Sequence, residues 1–344
     1  MGKAVRLSDI AERAQVSTVT VSKALSGQKG VSREKRALIE KLAKEMGYQK
    51  SVPSPGSRKG YTIGVIVSEK FLSRNRSFYW TFYQELSKSA AAGGHLPVLK
   101  VISRTDEEAM EVPVIITGEQ VKGIIFLGTF SGKYSKAMTG AAKVPYIFLD
   151  TIGPEPGADC VVTDNMRMAY GMTNYLFEKG HERIGFVGTR GIMDPVDDRF
   201  IGYIKSLIAH GMPYRPEDVL DDRDIDTGVI DPEKHFHIDK DDRPTAFVCA
   251  SDITANCLIH HLQRQGFSVP EEVSVAGFDD FLPDQIAGVG LTTCRVDVPK
   301  MTDRAVRMLV CKIDGTRYEP GVTEVGGRLI ERDSVKRIGG PVEI

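Results

Sequence analysis

Two aspartates, one arginine and two aromatic residues lie at the ends of apolar runs in the longer part of the chain. Asp150 ends "PYIFLD", Asp279 ends "VSVAGFD", and Arg199 is predicted to open a helix in "DDRFIGY". Phe78 and Tyr79 follow the first apolar run and could stack on the apolar face of a ring. Carboxylates and a guanidinium in one cleft can bind sugar hydroxyls, and the arginine can also hold a carboxylate or phosphate through two hydrogen bonds. These residue types indicate recognition of a small polar molecule.

The same residues also have a purely structural interpretation, which the sequence leaves open. In this interpretation the two aspartates at the strand ends cap helices or loops, and Arg199 pairs with Asp197 or Asp198 just before it. Asp164 and Asp252 each begin a predicted helix, so we expect both to be N-caps.

Other chemically suggestive segments lack the spacing that their chemistry requires. "GTFSGKYS" departs from the GxxxxGK[ST] spacing of a phosphate-binding loop. The histidine pairs His235/His237 and His260/His261 have no third ligand at metal-binding spacing. "SDITAN" contains a serine, but no histidine and acid are placed to activate it. The sequence therefore predicts no catalysis, no cofactor and no metal.

Composition is that of an ordinary soluble globular protein with two or three domains. The 344 residues are 41% hydrophobic and 26% charged. No run of 18 apolar residues occurs and the first residues lack a signal-peptide pattern, so we expect no membrane span and a cytoplasmic location. The five cysteines form no CxxC motif and are odd in number, which is typical of reduced thiols.

Charge is distributed unevenly along the chain. Residues 1–59 hold 13 Lys/Arg and 5 Asp/Glu, a net charge of +8, whereas the remaining residues carry −9. A basic segment joined to an acidic one is typical of a nucleic-acid-binding domain fused to a second domain.

The basic segment has the pattern of three short helices. In "LSDIAERAQVSTVTVSKALSG" Ser8 is a predicted cap for a first helix, and "AQVS" is a tight turn that leads to Ser17, the predicted cap of a second. Val21 and Leu25 of the second helix should point inward. Ser32 is a predicted cap for a third helix, on which Leu38, Leu42 and Met46 form one apolar stripe.

This order of helices predicts a helix-turn-helix, whose second helix enters the major groove of DNA. The side chains expected to point outward from that helix are small or hydroxyl-bearing, with one lysine, and they suit phosphates, thymine methyls and one base-edge acceptor. They are Thr18, Val19, Thr20, Ser22 and Lys23. The alternative is a small helical interaction domain with the same packing.

From Leu7 to Tyr48 the sequence resembles the DNA-binding headpiece of lactose-repressor-type (LacI/GalR) transcription regulators. The resemblance implies that Thr18, Val19 and Lys23 read bases. It implies a dimeric regulator, usually a repressor, on a pseudo-palindromic double-stranded operator. The residues at positions where the family mainly contacts phosphate and sugar are Ser8, Ser17, Thr20, Ser22, Ser26, Ser32 and Arg36.

From Thr62 onward, seven short apolar runs rich in β-branched residues alternate with helical stretches. Apolar strands separated by helices predict parallel sheets covered on both faces, and the number of units predicts two doubly wound α/β subdomains with a cleft between them. The segments "VVTDN", "CASDITAN" and "GFSVPEEVSVAGFDD" resemble the family's periplasmic-binding-protein-like effector domain. The expected fold is therefore an all-α headpiece followed by that domain.

The resemblance also implies the boundaries of the parts. The chain should cross between subdomains near Thr163–Asp164, Thr292–Thr293 and Gly326–Arg328. We expect a headpiece over 1–49, a linker over 50–60 and an effector-binding and dimerisation domain over 61–344, with subdomain N at about 61–163 plus 293–326 and subdomain C at about 164–292 plus 327–344.

Effector contacts in the family fall at the positions of Phe78, Tyr79, Arg199 and Asp279, and in several members at Asp150. The resemblance implies a sugar or sugar derivative as the effector. Two departures are evident. The loop before the arginine, "TRGIMDPVDDR", is acidic, and "MEVPVIITGEQVKG" has a strand-like composition where the family expects a helix, which we retain.

The linker "KSVPSPGSRKG" departs most from the family pattern. Its two prolines oppose a helix, and it has no leucine to wedge into the minor groove. We expect a basic tether whose Arg58 and Lys59 contact phosphate.

Two functions remain open from the sequence. The first is an effector-controlled, dimeric, sequence-specific DNA-binding regulator. The second is a carbohydrate-binding or carbohydrate-modifying protein without a regulatory role.

Overall fold

Two stretches of the chain fold as separate units in a computed structural model of the protein. They are Met1–Lys59 and Gly60–Ile344. The structure describes residues 7–25, 31–46, 60–72, 77–225, 227–281 and 288–339. The predicted linker residues 50–59 lie outside these ranges.

The first unit contains three helices: α1 (Leu7–Arg13), α2 (Thr18–Leu25) and α3 (Arg33–Glu45). Each helix contributes two residues to a small core, namely Ile10, Ala11, Val21, Ala24, Ile39 and Ala43. The prediction that Ser8 caps α1 is wrong, because the helix already begins at Leu7. The predicted stripe on α3 is wrong at Leu38, which is 49% exposed, because the helix turns Ile39 and Ala43 toward the core instead.

The second unit alternates strands and helices, as predicted. The strands are β1 (Thr62–Ser68), β2 (Leu96–Ile102), β3 (Gly123–Leu127), β4 (Tyr146–Leu149), β5 (Cys160–Thr163), β6 (Ile184–Val187), β7 (Val219–Leu220), β8 (Ala246–Cys249), β9 (Ser274–Asp279), β10 (Thr292–Arg295), β11 (Val322–Val325) and β12 (Arg328–Ile330). The helices are α4 (Phe78–Ala92), α5 (Arg104–Glu108), α6 (Val114–Thr117), α7 (Gly132–Ala141), α8 (Asn165–Glu178), α9 (Asp194–Ala209), α10 (Pro232–His235), α11 (Asp252–Arg264) and α12 (Val298–Asp314).

The strands form two six-stranded sheets. The first has the order β11-β5-β4-β3-β1-β2 and the second β12-β10-β9-β8-β6-β7. All pairings are parallel except that of β10 with β12. The predicted fold class, an all-α headpiece followed along the chain by two doubly wound α/β subdomains, is confirmed. We name the subdomains N and C after the first and second sheet.

The chain passes between the sheets three times. The first passage lies between β5 and α8 and the third between β11 and β12. The second follows Arg295 and not Thr292–Thr293, because β10 pairs with β9 through Arg295.

Burial explains why these runs form strands. Every residue of β3 is buried, and so are residues 63–68 of β1, as expected for inner strands with helices on both faces. The edge strand β2 instead leaves Leu96 62% exposed. Among the described helices, none has the length and apolar character needed to cross a lipid bilayer.

Two helix assignments bear on the site. The helix expected in "MEVPVIITGEQVKG" is present as the single turn α6. The prediction that Arg199 opens a helix is wrong, because α9 begins five residues earlier, at Asp194, with Pro195 in its first turn. Proline suits that position, where no backbone donor is needed. Arg199 therefore lies within the helix.

Glycine permits the close approach of α8 and α9. A Cβ at Gly202 of α9 would lie 2.2 Å from the carbonyl oxygen of Met166 and 2.9 Å from the backbone nitrogen of Tyr170. These are backbone atoms, so the helices would have to separate. A Cβ at Gly171 of α8 would meet no other atom within 4 Å.

We expect Gly202→Ala to lower the free energy of unfolding by about 1–3 kcal/mol through overpacking. Gly171→Ala is the matched control and should be neutral or stabilise by up to about 1 kcal/mol, because alanine is the better helix former. Urea unfolding monitored by circular dichroism measures both. Equal midpoints for the two variants would contradict this account of the α8–α9 contact.

Candidate functional site

The outward face of α2 is available for contact in the first unit. Packing of Val21 and Ala24 into the core leaves Val19 61% exposed on the other side, with Thr18 and Lys23 also exposed. These three are the residues that the sequence predicts to read bases. Small apolar, hydroxyl and ammonium groups are able to contact thymine methyls and base-edge acceptors.

Serine hydroxyls fix the starts of α2 and α3. Ser17 Oγ accepts a hydrogen bond from the backbone nitrogen of Thr20 at 3.1 Å and lies 2.9 Å from Thr20 Oγ1. Ser32 Oγ accepts from the backbone nitrogen of Lys35 at 3.3 Å. Both predicted N-caps are confirmed, so these hydroxyls position their helices whether or not they also touch DNA.

Arg36 joins two helices of this unit. Its Nη1 donates to the carbonyl oxygen of Ala24 at 3.3 Å, near the C-terminal end of α2, where a positive charge is favoured. The side chains of Ser8 and Ser22, and residues Ser26, Arg58 and Lys59 as a whole, lie outside the part of the chain that the structure describes.

In the second unit, the strand-end aspartates lie where the two subdomains meet. Asp150 follows β4 with φ 60°, and Asp279 ends β9 with φ 109°. Both angles are unusual for a residue other than glycine, and such conformations occur often at ligand sites. Tyr79 of α4 donates a 2.8 Å hydrogen bond from its hydroxyl to Asp150 Oδ2.

Arg199 is the centre of the C-subdomain half of this site and is 5% exposed. Its Nε donates to Asn165 Oδ1 at 2.8 Å, and its Nη1 donates to the carbonyl oxygen of Ala250 at 2.5 Å. Its Nη2 lies 3.2 Å from Asp279 Oδ1, which makes an ion pair. The guanidinium also lies over the ring of Phe278, 3.8 Å from its centroid.

Burial dominates the electrostatics of both aspartates. It raises the pKa of Asp279 to about 8, although the Arg199 guanidinium opposes this shift. It likewise raises the pKa of Asp150 to about 6, against the opposing effects of Arg199 and the Tyr79 hydroxyl. Removing a carboxylate from water disfavours its charged form more than one shared guanidinium can offset.

The alternative pairing of Arg199 with its sequence neighbours is wrong, because helical geometry turns it toward Asp279. Asp197 instead accepts a 2.8 Å hydrogen bond from the backbone nitrogen of Gly191. Asp164 is the N-cap of α8, as predicted.

Asp252 does not cap α11, because Ser251 is the N-cap. Its Oδ1 instead accepts a 2.6 Å hydrogen bond from Thr293 Oγ1, and its Oδ2 accepts from the backbone nitrogen of Phe281 at 2.9 Å. It therefore links α11 to β10 and to the segment after β9.

Four of the five predicted effector residues thus form two buried pairs, Tyr79–Asp150 and Arg199–Asp279. The fifth, Phe78, lies with its ring centroid 5.8 Å from that of Phe281. Sequence reasoning missed Asn165, Phe278 and Phe281. The adjacency of Asn165 to the first subdomain crossing, and of the two phenylalanines to Asp279, is the signal that could have found them.

A cavity of about 500 Å³ lies between the subdomains. Thr129 and Thr151 from subdomain N and Asp194 from α9 are among the polar residues that line it. Thr151 Oγ1 donates to Asp194 Oδ2 at 3.4 Å, so the two walls touch at this point. None of the five predicted effector residues is among the described residues that line this cavity, although Thr151 and Asp198 are sequence neighbours of Asp150 and Arg199.

Comparisons with known proteins agree with both units. Residues 6–51 match the family of bacterial regulatory proteins called the lacI family, and residues 173–335 match the periplasmic binding protein-like domain. The HTH-type transcriptional repressor CytR of Escherichia coli (strain K12) is 28% identical over 341 residues, which cover 97% of each chain. The NTD biosynthesis operon regulator NtdR of Bacillus subtilis (strain 168) is 25% identical over 331 residues, 95% of this chain and 99% of NtdR.

Solved structures have the same fold. A complex of the transcriptional regulator CelR with cellobiose has a TM-score of 0.67 at 24% identity and covers 96% of this chain and 99% of CelR. The lac repressor dimer bound to operator and the anti-inducer ONPF has a TM-score of 0.65 at 20% identity. The match covers 97% of this chain and 100% of the lac repressor chain.

A helix-turn-helix unit joined to a periplasmic-binding-protein-like unit defines the class of DNA-binding transcriptional regulators. The chain combines a lacI-family helix-turn-helix domain with a periplasmic-binding-protein-like domain, as the LacI-type transcriptional regulators do. With these two domains it is a DNA-binding regulator and not an enzyme.

The raised pKa of Asp279 predicts how stability depends on pH. Between its usual value of 3.8 and about 8, the folded protein holds a proton on Asp279 that the unfolded chain releases. The contribution of this group to stability is therefore present at low pH and lost as pH rises through that window, by at most about 1.4 kcal/mol per pH unit.

We expect Asp279→Asn, which cannot titrate, to show a smaller fall of melting temperature between about pH 5 and pH 8 than the wild type. Asp303→Asn, at an exposed carboxylate of α12 paired with Arg307, is the control and should keep the wild-type slope. Thermal unfolding across the pH series measures this. An unchanged slope in Asp279→Asn would mean that the Arg199–Asp279 pair stays fully ionised in this range.

Proposed function

We propose that this regulator is a cytoplasmic repressor that binds a pseudo-palindromic operator as a homodimer and responds to a small effector in the cleft between its subdomains. The main observation in support of DNA binding is the exposed face of α2, formed by Thr18, Val19 and Lys23, on a packed three-helix unit. The relative CytR is a repressor, which supports the direction of control. Cytoplasmic location follows from the need to reach DNA.

On DNA, Thr18, Val19 and Lys23 read base edges from the major groove. Positioning contacts to phosphate come from hydroxyls and cations around this face. The residues proposed for these contacts are Ser8, Ser17, Thr20, Ser22, Ser26, Ser32 and Arg36, together with Arg58 and Lys59 of a linker over 50–60.

In the cleft, the effector is a sugar or sugar derivative that contacts Tyr79, Asp150, Arg199 and Asp279. Phe78 supplies an aromatic edge. The complex of the regulator CelR with cellobiose supports a carbohydrate as the effector. Arg199 has three partners for its five N–H groups, so donors remain for a ligand, and Asp279 is the partner that also ends at the cleft.

Dimerisation of residues 61–344 is supported by apolar side chains that the single chain leaves in water. Trp80 on α4 and Leu96 and Val98 on the neighbouring edge strand β2 are all exposed. Burial of such a surface against a second copy would contribute about 25 cal/mol for each Å² before the entropic cost of association is subtracted.

DNA binding separates this proposal from a carbohydrate-binding protein without a regulatory role. Selection of sites from random duplexes by the full chain should yield one motif with two related half-sites. Failure to enrich any motif, with sugar binding intact, would favour the second function.

Lys23 gives the sharpest test of base reading. We expect Lys23→Ala to weaken binding to the selected site by about 1–3 kcal/mol and to relax preference at one base pair of each half-site, because an ammonium group is a good donor to guanine.

The matched control is Lys41→Ala, which removes the same charge from α3, where the side chain is 75% exposed and lies 3.9 Å from Glu45. Its selected motif should equal that of the wild type. A Lys23→Ala motif that is also unchanged would restrict Lys23 to phosphate contact.

A further inference from the structure

The cavity between the subdomains has walls of different character. Subdomain N contributes the hydroxyls of Thr129, Thr151 and Ser135 and the apolar surfaces of Phe130 and Ile152. Subdomain C contributes three carboxylates from α9: Asp194, Asp197 and Asp198. No lysine, arginine or histidine is among the described residues that line it. Its volume of about 500 Å³ is ordinary for a small-molecule site.

The three carboxylates belong to one face of α9, because positions i, i+3 and i+4 of a helix are neighbours. They stand in its first turns, where the helix dipole offsets part of their mutual repulsion. Their mutual repulsion contributes at Asp198, whose pKa is raised by partial burial and then by Asp194, Asp197 and Glu324, with Arg199 opposing the shift. An anionic ligand would add to this repulsion.

The nearby guanidinium lies outside this wall. Arg199 is not among the described residues that line the cavity, and it contacts Asp279, Asn165 and the carbonyl oxygen of Ala250. A phosphorylated or acidic ligand in the cavity would therefore meet carboxylates and no cation among the described lining residues.

A metal ion is not the complement of the carboxylates. Within the described ranges, no group of three or more acidic, histidine or cysteine residues could hold one. An organic cation suits them better, because an ammonium group can donate to separated acceptors while the rest of the molecule contacts hydroxyls and apolar surface.

We propose that the effector of this regulator carries a protonated amine that binds the Asp194, Asp197 and Asp198 carboxylates, with its hydroxyls toward Thr129 and Thr151. The ligand class is a polyhydroxylated amine of amino-sugar type. The inference rests on the proposed function, since it specifies the chemistry of the same cleft.

Matched ligands test the class. Calorimetry on the full chain compares sets that share one ring and differ in charge: glucosamine, glucose and glucuronate; galactosamine, galactose and galacturonate; mannosamine, mannose and mannuronate. We expect the amine of at least one set to bind at least about tenfold more tightly than its neutral and acidic counterparts.

Charge removal tests the location. The combined variant Asp194→Asn, Asp197→Asn, Asp198→Asn should bind that amine at least about tenfold more weakly. The matched control Asp239→Asn, Asp241→Asn, Asp242→Asn removes equal charge from an exposed segment of subdomain C and should keep wild-type affinity. Thermal unfolding of both variants checks that they remain folded.

Binding of a neutral or acidic sugar in preference to its amine, binding of no amine in any set, or full amine affinity in the α9 variant would each overturn the inference. Operator binding is measured on the same samples. A protein that binds operator and responds to a neutral or acidic sugar keeps the proposed function and loses only this inference, whereas failure to bind any DNA contradicts the proposed function itself.

Discussion

The buried guanidinium of Arg199 is the interaction on which the cleft depends. Its partners come from the start of α8, the end of β8 and the end of β9, so one side chain fixes three elements of subdomain C relative to α9. Burying a charge in this way is costly unless every donor is satisfied, and removal of one partner typically costs about 3–5 kcal/mol. The arginine is therefore a structural residue as well as a proposed ligand contact, and replacing it would disturb the fold together with the site.

These internal contacts of the site also limit the free energy that a ligand can gain on binding. Tyr79 and Asp150 are joined within subdomain N, and Arg199 and Asp279 lie together within subdomain C, where Asp279 Oδ1 is buried without a hydrogen bond of good geometry. A ligand gains only the difference between its own contacts and those it replaces. It changes the arrangement of the subdomains only if it contacts one arrangement better than another.

Parallel-sheet topology explains how much of the site was accessible from sequence. The carboxyl ends of strands meet at one edge, so an aspartate directly after a strand could be assigned to the cleft without coordinates, as for Asp150 and Asp279. The partner of Arg199 could not be assigned, because Asp197 and Asp198 are close in sequence whereas Asp279 approaches only through the pairing of β8 with β9. The prediction that Asp252 is an N-cap failed for the same reason. Its helical position suggested a cap, but its carboxylate is held by Thr293 and Phe281 from distant segments.

Charge is also separated between the two parts of the whole chain. Residues 1–59 carry a net +8 and the remainder −9, so the larger part of the protein is repelled by the phosphate backbone that the smaller part binds. Affinity for DNA must then come from the headpiece, whose cations release counterions, while the acidic part opposes nonspecific accumulation along the duplex. In the cleft, the described residues that line the cavity include three carboxylates of α9 and no cation, so an approaching cation is favoured there over an anion. Negative charge on the effector domain thus repels nucleic acid and, in the cleft, favours cationic small molecules over anionic ones.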